Sequence, residues 1–183
     1  MLDVSKVTED ILKFWFVETP KEKRFAKDPV FDETIRKQFL PAFNDIRENG
    51  HERYMTNADA TLAAIIILDQ FSRNMFRDLP EAFSEDWRAL TLAKYAVESG
   101  LDMATPEDQR CFFYMPFMHS EAPEDHMRAV AVFEAYGDAQ FLEFELKHKA
   151  IIDRFGRYPH RNGVLGRASS KEEIAFVEEH GGF

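Results

Sequence analysis

Start and stop signals for helices recur at short intervals along this chain, and the alternating β-branched runs that mark strands are almost absent, so every element reads as helical. A first helix over residues 5–16 places Ile11, Leu12, Trp15 and Phe16 on one face. Asp28 followed by Pro29 is a cap and a first-turn proline; Phe31, Ile35, Phe39, Phe43 and Ile46 then continue at helical spacing to the stop at Asn49-Gly50, with Pro41 expected to bend the helix. Asn57 caps a third helix whose opening LAAIII is apolar all round, which puts it in the middle of the molecule. A fourth covers 84–99 and stops at Gly100. The fifth is expected to open with a capping box at Thr105-Pro106-Glu107-Asp108 and to be interrupted at Pro116. A sixth over 123–136 ends at Gly137, a seventh over 138–155 at Gly156, and Ser170 with Glu173 opens a short eighth. Short connections make successive helices antiparallel neighbours. The expected fold is all-α: about eight helices stacked as antiparallel hairpins, in one domain over 1–183.

Composition removes several function classes. The 183 residues carry 33 acidic and 23 basic side chains, a net charge of −10, which works against a broad footprint on nucleic acid or on an anionic membrane. The apolar run from Leu62 to Leu68 is far short of the roughly 20 residues that cross a bilayer. Asp3 and Glu9 stand where a secretory signal needs a basic start and an apolar stretch. The single cysteine, Cys111, allows no internal disulfide and reads as a small buried hydrophobe. These features fit a cytoplasmic protein.

Three polar clusters interrupt this apolar pattern. In the first, Asp69, Arg73 and Arg77 share a stripe of the central helix, beside Gln70 and Asn74. Asp69 four residues before Arg73 is also the favoured helical ion pair, so the cluster reads equally as a ligand site or as a network pinning the helix. In the second, His119 and Glu121 follow the aromatic helix. They could supply acid–base chemistry, but His119 at a helix C-terminus and Ser120 or Glu121 as a cap explain the pattern more simply. The third runs from Arg154 to Lys171 and holds Arg154, Arg157, Arg161, Arg167 and Lys171 with no carboxylate. Such a basic island can draw an anion, with Arg157, His160, Arg161 and Asn162 as its contacts. Alternatively, its arginines pair with acids elsewhere and fasten the loop.

Other motifs carry less. Glu145 and His148 have the ExxH spacing of bundle di-iron ligands but lack the rest of the set, so they read as a solvated pair. The segment Gly163-Val164-Leu165-Gly166-Arg167 lacks the GK[ST] of a phosphate loop. The 18 phenylalanines fall at helical spacing and read as core. No metal or cofactor is implied. Three functions remain open. One is a helical binding module in which Arg73, Asn74, Arg77, Arg157, His160, Arg161 and Asn162 hold an anionic small molecule or an acidic peptide's carboxylate. Another is a hydrolase or lyase on a phosphorylated or carboxylated substrate, with His119, Glu121 and His160 as acid–base groups. The last is a structural protein without a ligand.

The segments ILKFWF, DPVFD, LDQFSRNMFR, EAFSEDWRAL, YMPFMHSE and HKAIIDRFGRYPHRNGVLGRASSKEE lie between residues 11 and 173. Through them the chain resembles the bacterial proteins grouped as domain of unknown function 924. Ser72 stands where that family usually has proline, and Tyr158 where it has phenylalanine. The resemblance implies an all-helical fold similar to tetratricopeptide repeats and carries no reaction, cofactor or catalytic residue with it.

Overall fold

The computed structural model describes residues 1–181. Helix α1 (Val4–Leu12) is capped by Asp3, whose carboxylate accepts the Lys6 N–H, and runs on as a wider π-helical turn, Lys13–Glu18. That turn leaves carbonyls unpaired at its end, and the Arg24 guanidinium donates to those of Trp15, Phe16 and Thr19 at 3.0, 3.5 and 3.4 Å. Helix α2 (Pro29–Asn49) begins as expected at Asp28, which accepts the Val30 and Phe31 N–H groups, and continues without a break through Pro41. Its stop, Gly50, has φ +91°, a conformation that favours glycine.

The central rod is α3 (Ala58–Ile65), a π-helical turn (Ile66–Phe71) and α4 (Ser72–Met75), one continuous helix in three pieces. Every residue from 60 to 72 is buried, so the apolar LAAIII segment lies in the middle of the molecule as its all-round hydrophobicity requires. Helices α5 (Asp86–Glu98), α6 (Cys111–His119), α7 (Pro123–Tyr136), α8 (Ala139–Phe155) and α9 (Lys171–His180) complete the chain. With the rod counted as one, the described residues form eight helices and no strand. The rod is flanked by α1, α2 and α5, while α5 packs on α6, α6 on α7 and α7 on α8, each returning through a short connection.

Two local expectations fail around α6. The capping box at Thr105 does not form: residues 107–109 make a 3₁₀ turn, the Thr105 hydroxyl donates to the Leu101 carbonyl, and α6 starts at Cys111. Pro116 does not interrupt the helix either; it sits inside α6, where residues 111–118 are all buried. Packing against α3, α5, α7 and α8 outweighs the one backbone hydrogen bond that proline cannot donate.

The main core is built on aromatic rings. Phe14, Trp15, Phe31, Phe39, Phe71 and Phe112 meet at centroid separations of 4.8 to 6.5 Å, mostly edge-on or stacked as their quadrupoles prefer. Most phenylalanines serve this core. A small satellite core, Ile151, Ile152 and Tyr158 with Phe155 and Phe176, lies under the loop before α9. Among the described residues no helix is long and apolar enough to cross a membrane.

Candidate functional site

The central rod carries its polar residues at one end, where the apolar run gives way to Asp69-Gln70 inside the π-helical turn. Such inserted turns often occur at functional sites. Asp69 is 1 % exposed. A buried carboxylate needs partners, and it has several: His119 Nδ1 at 2.7 Å on Oδ1, Gln70 Nε2 at 2.6 Å on Oδ2, and Arg73 Nη1 at 3.5 Å. Burial alone would favour the neutral acid, but His119, Arg73 and the Gln70 amide outweigh it and hold the carboxyl well below the usual range. Asp69 is therefore ionised, and an ionised carboxylate only accepts. The proton between the two side chains sits on His119 Nδ1, and the ring is turned to present Nε2.

Arg73 spends its other bonds on the far side. Its Nη1 and Nη2 form a fork on Asp86, both at 3.0 Å, and Nη1 also reaches the Asp69 carbonyl at 2.6 Å. Asp86 is shared with Arg161 at 3.4 Å, whose guanidinium lies between the rings of Phe83 and Tyr158 at 4.6 and 4.5 Å. Burial and then Arg73 lower the pKa of Arg161, while the two aspartates keep that of Arg73 raised despite its burial. His119, Asp69, Arg73, Asp86 and Arg161 thus form one polar ladder joining the rod, α5, α6 and the 156–170 loop. Its two aspartates balance its two arginines.

Arg77 does not continue the Asp69–Arg73 stripe, because α4 ends at Met75 and the chain turns through Asp78 at φ +63°. Instead Arg77 reaches α2 and forms a fork on Asp32, Nε at 2.6 Å and Nη2 at 2.9 Å, which also accepts from Asn74 Nδ2 at 2.7 Å.

Of these side chains Gln70, Arg73, Asn74, Arg77 and His119 border a cleft of about 640 Å³. Its polar wall is Gln70, Arg73, Asn74, Arg77 and His119; Met115, Met118, Phe141 and Phe144 form an apolar wall; Arg24, Phe25 and His148 complete the opening. Burial pushes His148 down to about 3, its Nδ1 bonding the Phe144 carbonyl at 2.7 Å. Arg24, bonded to carbonyls, has no ion pair among the described residues. A larger groove of about 1080 Å³ runs beside α1 and the start of α3, but its lining holds no histidine or arginine, and its charged residues Glu9, Lys13 and Asp59 are exposed.

The sequence-derived candidates divide between two places. Arg73, Asn74, Arg77 and His119 come together at the cleft, and Arg161 stands behind Arg73 through Asp86. Arg157, Asn162, Glu121 and His160 do not reach it. Arg157 forks onto Glu173 at 2.6 and 2.9 Å, and Asn162 donates to the same carboxylate at 3.3 Å. Glu173 also completes the capping box of α9 with Ser170, and this set holds its pKa down at about 2. Glu121 accepts a fork from Arg167 at 2.6 and 2.9 Å and the Tyr158 N–H at 2.8 Å; those donors outweigh its burial and lower its pKa. His160 lines a separate groove with Ile151, Arg154 and Phe176, and burial with Arg161 lowers it to about 4.

Glu145 and His148 are not a solvated pair. Glu145 is fully buried and meets His126 Nδ1 at 2.8 Å, while His126 Nε2 donates to the Ser120 carbonyl at 2.8 Å. The spacing of the sequence motif hid a partner 19 residues earlier on α7. Among the described residues no three His, Cys, Asp or Glu side chains gather in a way that could hold a metal ion.

The sequence reading missed Arg24, Phe25, Phe141, Phe144 and His148 as cleft residues, and it paired Asp69 with Arg73 without seeing His119. Phe141, Phe144 and His148 recur three and four residues apart on α8, but helical spacing does not say what that stripe faces. A signal did exist for the acids. Asp32, Asp69, Asp86, Glu121 and Glu173 all lie in the segments that carry the family resemblance, as do Arg73, Arg77, Arg157, Arg161 and Arg167 that bind them.

Comparison with known proteins agrees with that resemblance. No curated protein matches the chain. Among solved structures, a protein of unknown function from Agrobacterium tumefaciens, ATU0120, is 36% identical, superposes with a TM-score of 0.91, and is matched over 97% of this chain and 99% of that one. Residues 11–181 match the family described as bacterial protein of unknown function, DUF924. With the match covering nearly the whole chain, the protein belongs to the DUF924 family.

Proposed function

We propose that this protein is a binding module, a stack of helical hairpins similar to tetratricopeptide repeats, whose cleft takes a small amphipathic anion or the carboxylate end of a peptide. The observation that carries this reading is the pairing of two unlike walls in one cleft of about 640 Å³, guanidinium and imidazole groups facing Met115, Met118, Phe141 and Phe144. Arg77 uses Nε and Nη2 on Asp32, and a guanidinium has five N–H donors, so its Nη1 edge is open to a ligand oxygen. Arg24 adds a cation that forms no ion pair among the described residues. Arg161 acts through Asp86 to hold Arg73. A reducing, cytoplasmic setting suits the lone Cys111, whose thiol burial pushes up to about 12.

Thermal unfolding with butyrate, octanoate, phenylacetate, phosphate and short acidic peptides tests the proposal. Octanoate or phenylacetate raises Tm in proportion to the logarithm of its concentration above Kd, and Arg77→Ala removes the shift. A panel with no stabilising member, or a shift unchanged in Arg77→Ala, overturns it.

A further inference from the structure

We infer that the cleft is hydrolytic, with His119 aligned by Asp69 to deprotonate a water that attacks the carbonyl of an ester carrying an apolar acyl chain. The inference rests on the anion-binding reading, since the product is an amphipathic carboxylate. The molecule itself supplies the contrast that points to it. It has two histidine–carboxylate pairs. In His126–Glu145 both side chains are fully buried and both ring nitrogens are bonded, one to Glu145 and one to the Ser120 carbonyl; that ring is a cross-brace. In His119–Asp69 the carboxylate is equally buried, but the ring is partly exposed, lines the cleft, and has no bond to Nε2 among the described residues. An imidazole fixed through Nδ1 by an ionised carboxylate, with Nε2 open on a cleft, is arranged as a base.

The rest of the lining defines the reaction. It contains no hydroxyl or thiol side chain, so water is the nucleophile. Met115, Met118, Phe141 and Phe144 fit an alkyl or aryl acyl group, and the open edge of Arg77 can meet the developing oxyanion. His119 Nε2 takes one proton as the water oxygen bonds to the carbonyl carbon. The tetrahedral intermediate collapses, the bond to the alcohol oxygen breaks, and the imidazolium returns the proton to that oxygen. Ester and water become carboxylic acid and alcohol, and no oxidant or metal is consumed. Asp69, acting through His119, is a positioning residue. The charged and titratable groups around the ring are Asp69 and Arg73 on the rod and His148 on α8, with Arg77 and Arg24 on the same cleft.

The full chain is assayed with p-nitrophenyl butyrate and p-nitrophenyl octanoate, alongside octanoate-induced thermal stabilisation. Wild type turns over at least one ester. His119→Asn lowers kcat by about 10²- to 10⁴-fold. Asp69→Asn retains the shape but no longer holds the required tautomer, and lowers kcat by a similar factor with little change in KM. If Asp69→Asn does not fold, the His119 variant decides alone. Octanoate binding with no turnover above His119→Asn overturns the catalytic inference and leaves the binding proposal standing. Absence of both binding and turnover removes both.

Discussion

Two groups of arginines in this protein use the same chemistry and end in different situations. Arg73 and Arg77, at the end of the central rod, grip Asp86 and Asp32 through two-pronged bonds. Arg157 and Arg167, in the loop before α9, grip Glu173 and Glu121 the same way. The difference lies in the donors that remain. In the loop Arg157 Nη2 also reaches the Ala168 carbonyl and Arg167 the Asn162 side chain and the Tyr158 carbonyl, and the Arg157 Nη1, unbonded among the described residues, lies away from the cleft. At the rod, Arg77 retains a free edge on a cleft. Local density of positive charge in a sequence therefore marks a site poorly; what matters is which unused N–H groups open on a cleft after the acids are paired.

The comparison breaks most directly at Asp69. Replacing it with Ala strands Arg73 and His119 beside a buried gap, and breaking a buried ion pair from one side costs about 3–5 kcal/mol. Urea denaturation of Asp69→Ala is expected to show a loss of that order. A loss under about 1 kcal/mol would mean that the rod end is loosely built and that its arginines owe nothing to the ladder.

Arg157→Ala sharpens the contrast from the loop side. Its side chain is 34 % exposed against 5 % for Glu173, so solvent screens part of the pair. Glu173 also keeps its Ser170 and Asn162 donors. The expected cost is well below that of Asp69→Ala, with the octanoate-induced shift unchanged. If Arg157→Ala abolishes ligand stabilisation while folding normally, the division between the two groups is wrong and the loop belongs to the site.

The parts legible in the sequence were those set by local chemistry. Asp28, Asn57 and the Ser170–Glu173 box cap helices as their residue types predict, and the LAAIII run lies at the centre because nothing polar interrupts it. Where tertiary contact decides, local signals mislead. Pro116 stays helical because its surroundings hold it, and Thr105 turns its hydroxyl back to Leu101 instead of capping. The candidate site was half legible for the same reason. His119, Arg73 and Arg77 stood out as charges in apolar context, but Asp69 and His119 are 50 residues apart, Arg77 and Asp32 are 45 apart, and Phe141 and Phe144 look like any amphipathic stripe. Two histidines on one helix face or an acid four residues before an arginine can be read along a helix; a partner on another helix cannot.

The smallest effect, and the one that separates the two groups by titration, is on acid stability. His160 in the loop groove and His148 at the cleft are held down to about 4 and about 3 from an ordinary 6.5, burial being the main cause in both. Because these folded values lie below the unfolded one, the unfolded chain binds protons first. Their contribution is intact above pH 6.5, shrinks as pH falls below it, and levels off only once the folded pKa values are passed. Carboxylates, with unfolded values near 4, add little between pH 7 and 5, apart from Glu145, which burial raises, so that window is dominated by histidines, including the buried His51, which burial also lowers. Each histidine can contribute up to about 1.4 kcal/mol per pH unit, and less here because both rings are partly exposed. Urea midpoints measured at pH 7, 6 and 5 should fall steadily in the wild type. His160→Gln should flatten that slope while leaving the octanoate shift in place, because its ring faces the loop groove; His148→Gln should flatten the slope and also weaken the shift, because its ring faces the cleft. Equal effects of the two variants on ligand stabilisation would show that the loop and the cleft are one electrostatic unit after all.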